Sequence, residues 1–292
     1  MNPKEVMPTV RSRDLGYELQ NIMRAASMSG HELARRLDVY PSMLSHAING
    51  HRRLSDADLV AILVACHVTR DDRERILRLN HDLTQRGWLQ HHEPALSTWS
   101  RTLANHEREA TRIVDMQTTM VPQLLQTEDY ARTTLSRSLT TDEKTNESLL
   151  DAHRHRQSIF SKYPLPRMLF FLAESTLHAP VGDAAMMSEQ MQHLLMNAAL
   201  PQVEIRVIPG TAGVHTGFTG SFTLLESKTF NSIVHLGGLS FEVFLEQPHQ
   251  IEDHRRLIAL LDHVALSNEE SMKKISTADV DLYRMSETTS TQ

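Results

Sequence analysis

The sequence predicts an α+β chain: an N-terminal all-α unit of five helices, then a mixed α/β domain with a sheet of about five strands and flanking helices. Three observations predict it. In the first quarter of the 292 residues, apolar side chains recur three and four positions apart, the period of helices with one buried face. Further on the period drops to two, with Val203, Ile205 and Val207 alternating against Glu204 and Arg206. Between Arg167–Ala173 and Val203–Ile208 lies a helical stretch, Met186–Ala199, and strand, helix, strand at that spacing suits a right-handed parallel crossover.

The first helix is expected from the stripe Leu15, Leu19, Ile22 and Ala26. Ser29 then caps a second helix that begins near Gly30, with Glu32 three positions on. Leu33, Ala34 and Leu37 face inward, and Ala34 is small because two helices must approach closely there. Asp38 sits at a tight corner and tolerates the left-handed conformation, and Val39 fills the corner. Pro41 or Ser42 opens a third helix whose Leu44 and Ile48 point inward, leaving Ser42, Met43, Ser45 and His46 on the outward face. Asn49 and Gly50 end it with residues that accept positive φ. Ser55 caps a fourth helix with Leu59, Ile62, Leu63 and Cys66 inward, and a fifth spans about Asp71 to Leu83.

That outward ridge states a chemistry. Serine bonds to several base edges, histidine donates or accepts, and methionine meets a thymine methyl, so Ser42, Met43, Ser45 and His46 are the candidate base readers in a major groove. Ser29, His31, Asn49, His51, Arg52 and Arg53 flank them as candidate DNA contacts, the last three placed to meet phosphates. The stretch from Gly30 to Ile48 and the segment SMLSHAINGHRRLS resemble the helix-turn-helix domains of phage-repressor-like XRE-family regulators. Two departures stand out: Asp38 replaces the corner glycine, and Ala47 or Ile48 stands where a glutamate usually precedes the asparagine-glycine pair.

Length allows about two domains of ordinary size. Residues 1–85 are assigned to the helix-turn-helix domain, 86–100 to a linker, 101–280 to a regulatory and dimerisation domain, and 281–292 to a disordered tail. The net charge of −6 excludes a nonspecific nucleic-acid coat. Basic residues nevertheless outnumber acidic ones before Ser55, among them Arg11, Arg13, Arg24, Arg35 and Arg36, while the acidic excess falls later. The lone Cys66 lies on an inward stripe and leaves no disulfide framework. With no basic segment ahead of an apolar core and no apolar run of bilayer length, the expected location is the cytoplasm, on the nucleoid, with no membrane partner.

After the linker, Trp99 to Asp115 reads as a helix carrying Leu103, His106, Ala110, Ile113 and Val114. Pro122 breaks one element, and Thr127 caps another with Tyr130, Ala131 and Leu135. A polar helix follows from Thr141 to Ser161. Ser221–Leu225, Ser232–Leu236 and Phe241–Leu245 are the remaining strands, spaced as hairpins. An amphipathic helix over Ile251–Leu266 and a short helix after Ser267 close the chain. The segments MVPQLLQTEDYAR, EQMQHLLMNAALPQVEIRVIPGTAGVHTGFTGSFTLLE and VALSNEESMKKI resemble the C-terminal domain of the Scr1-type antitoxin-like, or WhiJ-like, actinobacterial regulators. That resemblance implies transcriptional control of development, secondary metabolism or the gene itself, and a gene neighbour encoding a very small partner protein.

Catalysis is not expected. Gly210, Gly213, Gly217 and Gly220 follow a strand but lead into another, without the Lys-Ser or Lys-Thr pair and helix N-terminus of a phosphate loop. No cofactor and no metal is expected: His153 and His155 are two apart on a helix and point to different faces, and adjacent His91 and His92, with Glu93, cannot easily share an ion. Glu174, Arg206, His215 and Phe222 are the candidate lining of a small-molecule effector pocket. The leading expectation is a homodimer that binds double-stranded DNA at a palindrome under control of a C-terminal sensor. The alternative is an antitoxin-like regulator that uses an exposed, acidic, Met-rich face of the Met186–Met196 helix to hold a small partner protein.

Overall fold

A computed structural model describes residues 7–81, 83, 87–91, 98–137, 143–213, 220–238 and 241–289. The chain divides into two compact units. The first comprises residues 1–89 with 228–231 and 243–247, and the second comprises the remainder.

The first unit is built on five helices: α1 (Val10–Ala25), α2 (Gly30–Arg36), α3 (Pro41–Ile48), α4 (Asp56–Ala65) and α5 (Arg70–His81). Thr9, Ser29 and Ser55 cap α1, α2 and α4 by accepting from the backbone N–H three residues on. Four of the helices stop in the same way. After α2, Asp38 takes φ 54° and the Val39 N–H reaches the Ala34 carbonyl at 3.0 Å. Ser27, Gly50 and His67 play the part of Asp38 after α1, α3 and α4, with φ 51°, 75° and 55°. The bonds that close these turns run from Met28 to Met23, His51 to His46 and Val68 to Leu63. Three of the four positions carry a side chain where glycine is the cheaper residue, and packing of the following apolar residue onto the core offsets that cost.

One hydrophobic cluster joins all five helices: Leu15 and Leu19, Leu33, Leu44 and Ala47, Leu59, Ile62 and Leu63, and Ile76. Gly16 lets α1 and the end of α3 meet. A Cβ at this position would stand 2.0 Å from the Ile48 carbonyl oxygen. Cys66 follows α4 as its C-cap, and burial pushes its thiol up from the usual range.

The remaining elements are β1 (Trp88–His91), α6 (Thr98–Glu109), β2 (Arg112–Gln117), α7 (Glu128–Ser136), α8 (Glu143–Gln157), β3 (Arg167–Ala173), α9 (Ala184–Ala198), β4 (Val203–Ile208), β5 (Phe222–Glu226), β6 (Ile233–Gly237), β7 (Phe241–Leu245), α10 (Pro248–Val264) and α11 (Asn268–Thr289). Seven strands form one mixed sheet in the order β1-β7-β6-β5-β2-β3-β4. β3 runs parallel to both β2 and β4, whereas β5 is antiparallel to β2 and to β6. The edge strand β4 is closed off locally. Ile205 N–H donates to Asn268 Oδ1, Val207 N–H to Ser271 Oγ, and the Val207 carbonyl accepts from Leu266 N–H.

Four expectations need correction. The sheet has seven strands instead of five, because Arg112–Gln117 is a strand: Ile113 and Val114 continue the apolar spacing of the preceding helix, but Ala110 and Thr111 end it. The stretch expected as a linker contains β1, whose Trp88 packs against Phe244 at 6.4 Å between ring centroids. α11 is 22 residues long and enters the segment expected to be disordered, since neither proline nor glycine interrupts it. In α9, Met187 and Met191 are buried in the core and only Met196, at 71% exposure, stands clear, so the helix presents no methionine-rich face. No helix among the described residues is long and apolar enough to cross a membrane.

Candidate nucleic-acid interface

α3 begins at Pro41, a residue whose missing N–H costs nothing at a first helical position. Leu44 and Ala47, three apart, are its buried pair, and this rotation of the helix puts Ser42, Ser45 and His46 on the exposed side. Two assignments shift by one notch. Ala47 takes the inward place given to Ile48, which is half-buried, and Met43 is half-buried against the core instead of fully outward. The exposed ridge is therefore polar, with Met43 at its flank.

The ridge is partly organised by its own bonds. Asn49 Nδ2 reaches Ser45 Oγ at 3.5 Å, and the His46 and His51 rings meet edge to face at 6.4 Å. At the start of α2, His31 is exposed, while the Ser29 hydroxyl already accepts from the Glu32 N–H at 3.2 Å. Arg52 and Arg53 are exposed, as are Arg35 and Arg36 at the end of α2. No carboxylate among the described residues is paired with any of these four. The unneutralised guanidinium groups of Arg52 and Arg53, just beyond the end of an exposed polar helix, suit a polyanion.

Not every basic residue expected at this end faces outward. Arg13 is buried, with its guanidinium 4.9 Å from the Phe230 ring and 5.7 Å from that of Tyr17, donating to the Tyr17 hydroxyl and the Thr229 carbonyl. Arg11 lies over the Trp88 ring at 5.6 Å. Both act as cationic packing. Conversely, Tyr40, absent from the expected contacts, precedes α3, is 82% exposed and makes no side-chain capping bond. The only signal in the sequence was its place before a helix-opening proline.

Of the residues expected to line an effector pocket, Arg206, Glu174 and Phe222 lie among the described residues, and each is engaged with other parts of its unit. Arg206 is committed to the end of α10, where it donates to the carbonyls of Asp262, Ala265 and Leu266 and to the Asp262 carboxylate at 2.7 Å. Glu174 accepts from the Gly210 N–H at 2.8 Å and pairs with Lys274 at 2.5 Å; Lys274, then Gly210, holds its carboxyl below the usual range. Phe222 is buried against the His254 ring at 5.1 Å. His215 and Gly217 lie outside the described residues. His153 is buried and His155 exposed, the side chains of His91, His92 and Glu93 lie outside the described residues, and no group of three or more histidine, cysteine, aspartate or glutamate side chains among those described is placed to hold a metal.

The second unit holds a different polar feature. Asp115 on β2, Thr223 on β5, His235 on β6 and Glu242 on β7 form a buried row across the sheet. Asp115 pairs in register with Thr223, Thr223 with His235, and the His235 ring bonds to Glu242. Burial pushes Asp115 up to about 6, against the bond from Gln117 Nε2 at 2.7 Å.

Family comparison agrees with this division. The model of a domain of unknown function, DUF5753, matches residues 100–277, more than half of the chain. The chain belongs to the DUF5753 family. Ahead of the DUF5753 domain, a helix-turn-helix domain matches residues 14–76, which contain α2 and α3, so the protein is a DNA-binding regulator of helix-turn-helix type. No curated protein matches the sequence. Among solved structures, TrmBL2, described as an archaeal chromatin protein with a novel mode of DNA binding, aligns over 86% of this chain and 93% of its own, with 10% identity and a TM-score of 0.31. A likeness that low carries no argument.

Proposed function

We propose that this DUF5753 protein is a sequence-specific transcriptional regulator of XRE type, acting on the nucleoid as a homodimer at a palindromic operator, with the C-terminal domain tuning its occupancy. The observation that carries the reading is the exposed edge of α3: Ser42, Ser45 and His46 stand free of the core, with Arg52 and Arg53 unneutralised beyond its end. Ser42, Ser45 and His46 read base edges, with Met43 at the margin for a thymine methyl. His31, Asn49, His51, Arg52 and Arg53 meet the backbone, and Ser29 acts through the α2 backbone that it caps. Tyr40 joins the phosphate contacts at the opening of the helix.

One such helix reads only a few base pairs, so two half-sites about 34 Å apart are expected. Footprinting on the DNA upstream of its own and neighbouring genes tests this. A protected dyad is the expected result, and protection nowhere above that of random DNA overturns it. The antitoxin-like alternative, with a small protein bound on the α9 face, loses its surface argument because Met187 and Met191 are core residues.

A further inference from the structure

Beyond its acidic first turn, α4 is apolar on every side. From Leu59 to Ala65 it carries seven consecutive apolar residues, though a helix of a small helical unit needs only one apolar stripe. Leu59, Ile62 and Leu63 fill the core. On the opposite side, Ala57, Val60, Ala61 and Val64 recur at helical spacing, and Val60 and Val64 are 39% and 52% exposed. They floor an open groove bordered by Leu37. Its two ends differ in charge: Asp56 lies at the N-terminal end, and Arg36 and His67 border the groove as its basic members. Arg36 has no carboxylate partner among the described residues, and Asp56 uses Oδ1 to accept from Asn80 Nδ2 at 3.1 Å.

We infer that this groove is the self-association surface of the protein, occupied by α4 of a second copy running antiparallel about a two-fold axis. The chemistry selects that occupant. Antiparallel stacking sets Asp56 of each copy towards the basic residues of the other, twice over, as an isologous contact requires, and opposes the two helix dipoles. Ala57 and Ala61 permit close axial approach, while Val60 and Val64 supply the apolar centre. The inference rests on the regulator reading for the need to present two recognition helices, but its test does not use DNA.

Sedimentation equilibrium of the full chain over a concentration series reads the dimer constant directly. Val60→Lys and Val64→Lys each place like charges across the axis, and each is expected to weaken the dimer by about tenfold or more with an unchanged helical spectrum. Arg36→Asp is expected to weaken it as well, and adding Asp56→Arg to that variant to restore it. A wild-type monomer at every concentration overturns the inference, as does a dimer indifferent to both lysines, or a charge pair that fails to rescue while Val60→Lys remains dimeric. Loss of a different copurifying polypeptide from Val60→Lys, with a monomeric wild type, assigns the groove to another partner and overturns it too. Operator protection measured separately distinguishes these failures from failure of the regulator reading: a dimer broken by Val60→Lys that protects no DNA leaves the surface standing and sinks only that reading.

Discussion

Arg156 and Glu107 form a two-pronged ion pair inside the second unit, Nη2 to Oε1 at 2.7 Å and Nε to Oε2 at 2.9 Å, with the side chains 6% and 1% exposed. Gln123 takes a further guanidinium N–H. A pair this deep repays its desolvation only while both members are present. Glu107→Gln or Arg156→Met alone is therefore expected to lower unfolding free energy by about 3–5 kcal/mol. The double change Glu107→Leu/Arg156→Met is expected to recover most of the loss. Urea titrations of the three variants check this, and additive losses in the double variant contradict it.

Asp115 makes stability depend on pH in a direction opposite to the usual carboxylate. Its folded value is raised from 3.8 to about 6, so the native state holds the proton more tightly than the unfolded chain. Its contribution is fully present below about pH 4 and is lost as pH rises through about 6, a change of about 3 kcal/mol by linkage. His153 works the other way. Burial, aided by Arg156, lowers it from 6.5 to about 4, so between those values stability rises with pH as the unfolded chain gives up its extra proton. The two slopes overlap, and the informative measurement is the difference between wild type and Asp115→Asn: the variant gains stability relative to wild type as pH climbs from 4 to 7. A difference that stays constant with pH refutes the assignment.

Gly16→Ala is expected to disturb the first unit more than its size suggests. The added methyl meets the Ile48 carbonyl, which is backbone and cannot rotate away. Overpacking of about 1–3 kcal/mol follows. Since Ile48 ends α3, DNA affinity is expected to fall along with the melting temperature. A stable, fully binding Gly16→Ala protein would show that α1 and α3 sit further apart.

On DNA, Arg52→Ala and Arg53→Ala are each expected to weaken operator and random duplex alike, and to reduce the salt slope by about one. Ser45→Ala and His46→Ala are expected to change preference at single base pairs, by about 1–3 kcal/mol. Fluorescence anisotropy on operator and scrambled duplexes separates the two kinds of loss. Equal losses for Ser45→Ala on both duplexes would move the reading face to another rotation of α3.

The helical unit was legible because its signals are local. Ser29 and Ser55 announce their helices within three residues, and Asp38 marks its corner by tolerating positive φ. Met43 and Ile48 sit one notch from their expected places because the core uses Leu44 and Ala47, three apart, where the sequence equally offers Leu44 and Ile48, four apart. That Arg13, one of the basic residues in excess before Ser55, faces inward is hidden in the sequence because Phe230, the ring that covers it, is more than two hundred positions away. β2 is hidden by the same cause: Arg112–Gln117 is a strand because β3 and β5 pair with it on both sides, and neither is adjacent in sequence. The surroundings of Arg206 and Glu174 are equally hidden, because these residues satisfy carbonyls, N–H groups and counter-charges contributed by Leu266, Asp262, Gly210 and Lys274, none of which a linear motif reveals.

The buried row from Asp115 to Glu242 also acts as a ratchet against sliding. Were β2 to slip one position along β5, the Asp115 carboxyl would face Leu224 or Phe222 instead of Thr223, and every side chain of the strand would turn to the other face of the sheet. A strand with only aliphatic residues, such as Ile113 and Val114 alone, would resist that slip weakly. With the row in place, misaligned pairings strand a charge in oil, and a single alignment survives.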